Sequence, residues 1–129
     1  KLQDGDDITI IATGHLVWEA LEACHMLYSQ GIKADVLNIH TIKPLDQNSI
    51  IHSAKKTNCV ITAEEHNYLG GLGESVARVL SENYPTHMKI IGTNDTFGES
   101  GKPSELLKKY NLSSSAIFDA AKKLLKRKK

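Results

Sequence analysis

The segment with the greatest capacity for chemistry is Glu64-Glu-His-Asn-Tyr-Leu-Gly-Gly-Leu-Gly73, which joins a predicted strand to a predicted helix. In open α/β sheets, ligands bind at the carboxyl ends of the strands, where the first turn of a helix presents free N–H groups. Glycines in such a turn let the backbone approach an anion closely, and a neighbouring Glu–His pair could exchange protons. The candidate anion-site residues are Glu65, His66, Gly70, Gly71 and Gly73.

The same segment also has a structural interpretation. Its glycines would provide a tight turn and close packing of the helix on the sheet, and its polar residues would lie at an interface. The spacing is not Gly-x-Gly-x-x-Gly, and no Gly-Lys-Ser/Thr follows, so neither the dinucleotide fingerprint nor the P-loop fingerprint is met. From the residues alone, we favour the structural interpretation.

A second candidate is the segment Phe97-Gly-Glu-Ser-Gly-Lys-Pro103. Ser100 and Lys102 could hold a phosphate near the N-terminus of the helix that Pro103 opens. The alternative is a connector whose glycines and proline set the entry into that helix. We favour the connector.

The rest of the sequence contains no self-sufficient active site. The other histidines lie on different predicted elements, and neither Cys-x-x-Cys nor His-Glu-x-x-His occurs, so no metal site is predicted. A Gly-x-Ser-x-Gly elbow is also missing. Cys24 and Cys59 fall in segments that are expected to be buried, where a free cysteine acts as a small hydrophobe. No catalytic residue is therefore assigned.

Two periodicities alternate along the chain. Short apolar, β-branched runs predict strands, and apolar residues spaced three and four apart predict helices. We expect Gly31 to end the first helix, Asp46 to cap the second, and Ser113 to cap the last. The predicted strands cover residues 7–13, 34–39, 58–63 and 88–92. The first helix is expected to bury Val17, Ala20, Leu21, Cys24, Leu27 and Tyr28, with Leu16, Trp18 and Met26 off that inward face.

Repeated strand–helix–strand units predict parallel strands with helices on both faces, which is a three-layer α/β/α sandwich. The 129 residues are sufficient for one domain, 1–129.

A net charge of +1 gives no general reason to expect nucleic acid or a membrane as partner, and the basic run from Lys122 to Lys129 is typical of a solvated helix end. No apolar stretch is long enough to span a bilayer and no secretory signal is present, so we expect a cytoplasmic location.

Three segments, in their order and spacing, resemble the C-terminal domain of transketolases. They are Ile8 to Gly14 with Glu19, Thr41-Ile-Lys-Pro-Leu-Asp46, and Glu65-His66 leading to Gly70-Gly-Leu-Gly73. The match continues through Ser100-Gly-Lys-Pro-Ser-Glu-Leu-Leu107 and the closing helix, so it covers nearly the whole chain. Related domains end 1-deoxyxylulose-5-phosphate synthase and the beta subunits of 2-oxo acid dehydrogenases. The motifs are most similar to those of transketolase itself, including the split form encoded as two chains.

The resemblance implies a mostly parallel five-stranded sheet with one short antiparallel edge strand, here Lys1 to Gln3. It also implies that thiamine diphosphate and a divalent metal, Mg or Ca, bind to the preceding pyrimidine- and diphosphate-binding domains of a homodimeric parent, and that this domain binds no cofactor. Gly5-Asp6-Asp7 lacks the second glycine of the family's cofactor motif. The parent enzyme would move a two-carbon ketol unit between sugar phosphates of the pentose phosphate pathway.

Three hypotheses follow for the chain itself. The first is a non-catalytic transketolase domain, a fragment of a longer chain, that supports dimer assembly and the active site and is inactive alone. The second is a regulatory module that binds a small anion or a nucleotide. The third is a pure assembly module, which predicts an exposed apolar patch near the Tyr68–Leu72 loop or on Leu16, Trp18 and Met26.

Overall fold

The computed structural model describes residues 1–14, 16–39, 44–64, 71–92 and 113–128. Its strands are β1 (Ile8–Ala12), β2 (Ala34–Asn38), β3 (Cys59–Ala63) and β4 (His87–Ile91). Its helices are α1 (Leu16–Tyr28), α2 (Gln47–Thr57), α3 (Leu72–Asn83) and α4 (Ser114–Lys128). The predicted strands are confirmed to within a residue at each end, and the helix predicted after Pro103 lies outside the described residues. Within these ranges, no helix combines the length and the apolar character needed to cross a bilayer.

The four strands form one parallel sheet in the order β2-β1-β3-β4. β1 occupies a central position, with Ile10 beside Val36 of β2 and Ile61 of β3. Because the strands are parallel, their carboxyl ends lie along the same edge of the sheet. Glu64 follows directly after β3 at this edge.

The five-stranded sheet with an antiparallel edge strand is not present among the described residues. At the predicted position, Gln3 forms a single antiparallel bridge with Val36. Two hydrogen bonds make this bridge, from Leu2 N to Val36 O at 2.8 Å and from Val36 N to Gln3 O at 2.9 Å.

Helices cover both faces of the sheet, which is why every residue of β1 is buried. Side chains alternate along the strand: Ile8 and Ile10 pack in a cluster with α1 and α4, whereas Ile11 packs in a second cluster with α2 and α3. The described residues therefore have the predicted three layers.

The predicted helix ends are also confirmed. Gly31 has the left-handed φ of +78° that favours glycine after a helix, and its N–H donates to Tyr28 O at 2.9 Å. Asp46 Oδ1 accepts from Ser49 N at 3.2 Å at the start of α2. Ser113 Oγ accepts from Ala116 N at 3.3 Å at the start of α4.

The inward face of α1 differs from the prediction at three positions, one of which is Ala23, which is fully buried although it was not predicted on this face. Leu16 was placed off this face but is fully buried, because it lies one turn before Ala20 on the same stripe. Tyr28 was expected to be buried but is 65% exposed, because it follows Leu27 by about 100° around the helix. Trp18 is exposed as predicted, at 67%, and Met26 is half-buried.

Candidate functional site

At the carboxyl edge of the sheet, the buried side chain of Glu64 caps the N-terminus of α3. Its Oε2 accepts from Leu72 N at 3.1 Å, and its Oε1 accepts from Gly73 N at 3.3 Å. Free N–H groups at a helix N-terminus attract anions. Here a carboxylate of the chain itself already accepts hydrogen bonds from two of these groups.

Gly73 allows α3 to pack closely on the sheet. A Cβ at this position would lie 2.5 Å from Ile90 Cγ2 and 3.1 Å from Thr62 Oγ1. Real Cβ atoms do not approach other heavy atoms as closely as the first of these distances. The glycine is therefore explained by packing, which is the structural interpretation of the glycine-rich segment.

The structure describes only part of the predicted anion site. Gly71 and Gly73 lie beside the Glu64 carboxylate at the first turn of α3. Five other predicted residues lie outside the described ranges, so their role in anion binding stays a prediction. These residues are Glu65, His66, Gly70, Ser100 and Lys102.

A second polar cluster lies near the amino ends of the strands and centres on Asp35 of β2, whose side chain is completely buried. Asp35 Oδ1 accepts from Gly5 N at 3.1 Å, and Asp35 Oδ2 accepts from Ser53 Oγ at 2.6 Å. The ammonium groups of Lys1 and Lys56 lie 3.1 and 3.0 Å from Oδ1. Asp35 thus links the segment before β1 to α2.

The charges in this cluster balance. Asp4 is 3.0 Å from both lysines, so two carboxylates face two ammonium groups. Hydrogen bonds from Lys56 and Lys1 lower the pKa of Asp4 to about 2. Burial raises the pKa of Asp35, but the hydrogen bonds from Ser53 and the two lysines outweigh it and the pKa is lowered overall. Both carboxylates are therefore ionised at neutral pH, which suits a structural role rather than proton transfer.

Hydroxyl groups continue the cluster into the sheet. Thr9 Oγ1 of β1 lies 2.6 Å from Ser53 Oγ and 2.7 Å from Thr57 Oγ1. No local motif predicted this network. Its signals in the sequence are Asp35 among the apolar Ala34, Val36 and Leu37 of β2, and two hydroxyl residues, Ser53 and Thr57, one turn apart on the inward side of α2.

Gly5 is needed where the N-terminal segment crosses β2. A Cβ at Gly5 would lie 2.5 Å from the carbonyl oxygen of Ala34. The close approach also brings Gly5 N to Asp35. Gly5-Asp6-Asp7 therefore has a packing role in this structure.

The described residues do not provide a metal centre or a reactive thiol. Within them, no group of three or more His, Cys, Asp or Glu side chains could hold a metal ion. Both cysteines are buried and free, as predicted. Burial raises the pKa of Cys59 to about 11 and also raises the pKa of Cys24. Both thiols are therefore protonated at neutral pH.

Comparison with known proteins assigns the family. The profile of the family described as "Transketolase, C-terminal domain" matches residues 1–117. The chain belongs to the transketolase C-terminal domain family, as its motifs predicted.

The relatives are transketolase-type enzymes of several kinds. The 6-deoxy-6-sulfo-D-fructose transketolase subunit of Clostridium sp. (strain MSTE9) is 45% identical over 98% of this chain and 39% of its own length. The 1-deoxy-D-xylulose-5-phosphate synthase of Halothermothrix orenii is 40% identical over 96% of this chain and 20% of its own length. A solved split-gene transketolase, described as an inactive beta4 tetramer, superposes with a TM-score of 0.92 and 45% identity over 99% of this chain and 42% of that one.

The chain therefore spans only 20% to 42% of the length of these relatives. The likeness concerns their C-terminal domain.

Proposed function

We propose that this chain is the non-catalytic C-terminal domain of a transketolase, which transfers a two-carbon ketol unit between sugar phosphates. Its membership of the family supports this function, and so does the 45% identity to a split-gene transketolase. Related chains include a 1-deoxy-D-xylulose-5-phosphate synthase, so the preference for transketolase within the family is part of the proposal.

Thiamine diphosphate and its divalent metal, Mg or Ca, are assigned to the preceding domains of a homodimeric parent. Two observations on the described residues support this placement. They contain no group of three or more His, Cys, Asp or Glu side chains that could hold a metal ion. The first amides of α3, which could otherwise bind a phosphate, donate to the Glu64 carboxylate.

The outward face of α1 supports a role in assembly. Trp18 is 67% exposed and Tyr28 is 65% exposed. Large aromatic side chains on a surface are typical of protein interfaces, where they contribute much of the binding energy. This aromatic face, Trp18 and Tyr28, is where we place the contact with the preceding domains.

The proposal also includes the edge strand that the resemblance implied. In the longer parent, Lys1 to Gln3 would extend the single bridge to Val36 into an antiparallel strand. A structure of the parent in which these residues turn away from β2 would contradict this part.

The assembly role is tested by measuring association with the preceding domains, supplied as a separate polypeptide, together with ketol transfer from a sugar phosphate. We expect Trp18→Glu to weaken association by roughly 30-fold, equivalent to about 2 kcal/mol for a buried aromatic contact. Ser81→Glu is the matched control, because it places the same charge on an exposed position of α3.

Two results would contradict the proposed function. One is turnover of sugar phosphates by the 129-residue chain alone after addition of thiamine diphosphate and Mg²⁺. The other is unchanged association and unchanged ketol transfer for Trp18→Glu, which would remove the aromatic face as an interface.

A further inference from the structure

The β4 edge of the sheet is open within the residues that the structure describes. Glu64 N donates to Ile91 O at 3.1 Å, so Ile91 directs its peptide groups toward β3. Successive residues of a strand direct their peptide groups to opposite sides, so Met88 and Ile90 direct theirs away from the sheet. Unpaired groups along a strand edge are a template for pairing with another chain.

A groove of about 530 Å³ lies between this edge and α4. Its apolar part includes the buried side chains of Ile91 and Leu124 and the half-buried Ala116 and Ala120. From Ala116 to Arg127 the groove follows α4 for about 16 Å at 1.5 Å per residue. This length corresponds to about five residues of extended chain.

The rim of the groove is cationic. Lys89 of β4 and Lys123 and Arg127 of α4 line it, and all three side chains are exposed. Lys123 and Arg127 are one helical turn apart, so they follow the groove direction. Asp119 is the single carboxylate in the lining. Within the described ranges, none of the three cations has a carboxylate partner within 4.0 Å.

The other face of the same edge is apolar. Ile90 is 40% exposed, and its side chain lies toward α3, where it meets Gly73. A strand added to β4 would place alternate side chains on the two faces of the sheet. One set would meet the cationic rim of the groove, and the other set would meet Ile90.

We propose that the β4 edge binds an extended strand of a partner protein in which acidic and apolar side chains alternate. The backbone groups of Met88 and Ile90 bind the strand, and Lys89, Lys123 and Arg127 select its acidic side chains. A second copy of β4 is a poor occupant, because an antiparallel pair would bring Lys89 against the same residue of the other copy. This surface is separate from the aromatic face of α1, so the inference goes beyond the proposed function.

The test uses the 129-residue chain and the heptapeptide acetyl-Glu-Val-Glu-Ile-Glu-Val-Glu-amide, with affinity measured by calorimetry at 50 and 300 mM salt. We expect binding that weakens with salt and protects the amides of Met88 and Ile90 from hydrogen exchange. Lys123→Glu with Arg127→Glu should weaken binding roughly tenfold or more, because each exposed ion pair is lost and replaced by repulsion. The matched control is Lys126→Glu with Lys55→Glu, which changes the charge equally at exposed positions outside the groove lining and should change affinity less than twofold.

Two further ligands separate backbone pairing from simple charge attraction. The same peptide with alternate amides N-methylated cannot pair with β4, and we expect its binding to be lost. Tripolyphosphate is negatively charged but cannot form a strand. At the same total concentration of negative charge, it should neither displace the peptide nor protect the amides of Met88 and Ile90 from hydrogen exchange. No binding of the heptapeptide to the wild-type chain would overturn the proposal. The proposal would also be overturned if the control variant lost as much affinity for the peptide as Lys123→Glu with Arg127→Glu. If tripolyphosphate displaced the peptide, the groove would be a site for small anions, and the proposal would again be wrong.

Discussion

Replacing Asp35 with Asn keeps the size of the side chain and removes the charge that holds Lys1 and Lys56. Breaking a buried ion pair by removing one partner costs about 3–5 kcal/mol. Here the lysine side chains are 35% and 24% exposed, and both keep Asp4 at 3.0 Å. We therefore expect a smaller loss of about 2 kcal/mol in the free energy of unfolding at pH 7.

The pH dependence gives a second readout. The pKa of Asp35 is lowered in the folded chain, and an unperturbed Asp has a pKa of about 3.9. The stabilisation by the charged form is therefore complete well above pH 4 and is lost as the pH falls through the folded-state pKa. The difference between wild type and Asp35→Asn should shrink as the pH is lowered below about 4.

Urea unfolding followed by circular dichroism at several pH values measures both effects. Asp6→Asn is the control, since Asp6 is exposed, and its effect should stay within about 0.5 kcal/mol. If Asp35→Asn is no more destabilising than Asp6→Asn at pH 7, the buried charge of Asp35 does not stabilise the fold. Destabilisation that persists unchanged at acid pH would equally contradict a role for this charge.

Two more predictions concern packing and the thiols. Gly73→Ala should lower the thermal stability, because its methyl group would lie 2.5 Å from Ile90 Cγ2; the expected cost is about 1–2 kcal/mol, and it should shrink in an Ile90→Ala background. An equal cost in both backgrounds would contradict this contact. Cys59, with a pKa of about 11, has roughly a thousandth of its thiol ionised at pH 8, so iodoacetamide should label it only after unfolding. Rapid labelling of the folded chain, detected by mass spectrometry, would show that the thiol is accessible.

The features that the sequence predicted are those determined by nearby residues. Strands appear as short β-branched runs, and the caps at Gly31, Asp46 and Ser113 depend on residues within one turn of the helix. The alternation of strands and helices then favours a parallel sheet with two covered faces. The exposure of Trp18 also follows from helical periodicity.

The features that the sequence did not predict depend on contacts between distant segments. The cluster around Asp35 joins Gly5, Ser53 and Lys56, and no local pattern shows that these residues meet. The cap of α3 by Glu64 joins residues eight positions apart and requires the first turn of α3 to lie at the end of β3. The spacing assigns Tyr28 to the core because it lies one turn after Cys24, but the structure shows that the buried stripe ends at Leu27.

The last helix returns to the beginning of the domain. Lys128 Nζ of α4 donates to the carbonyl oxygen of Asp7, just before β1, at 3.0 Å. This hydrogen bond ties residues that are far apart in the sequence, so loss of the last turn of α4 would also remove a hydrogen-bond donor from the segment that leads into β1.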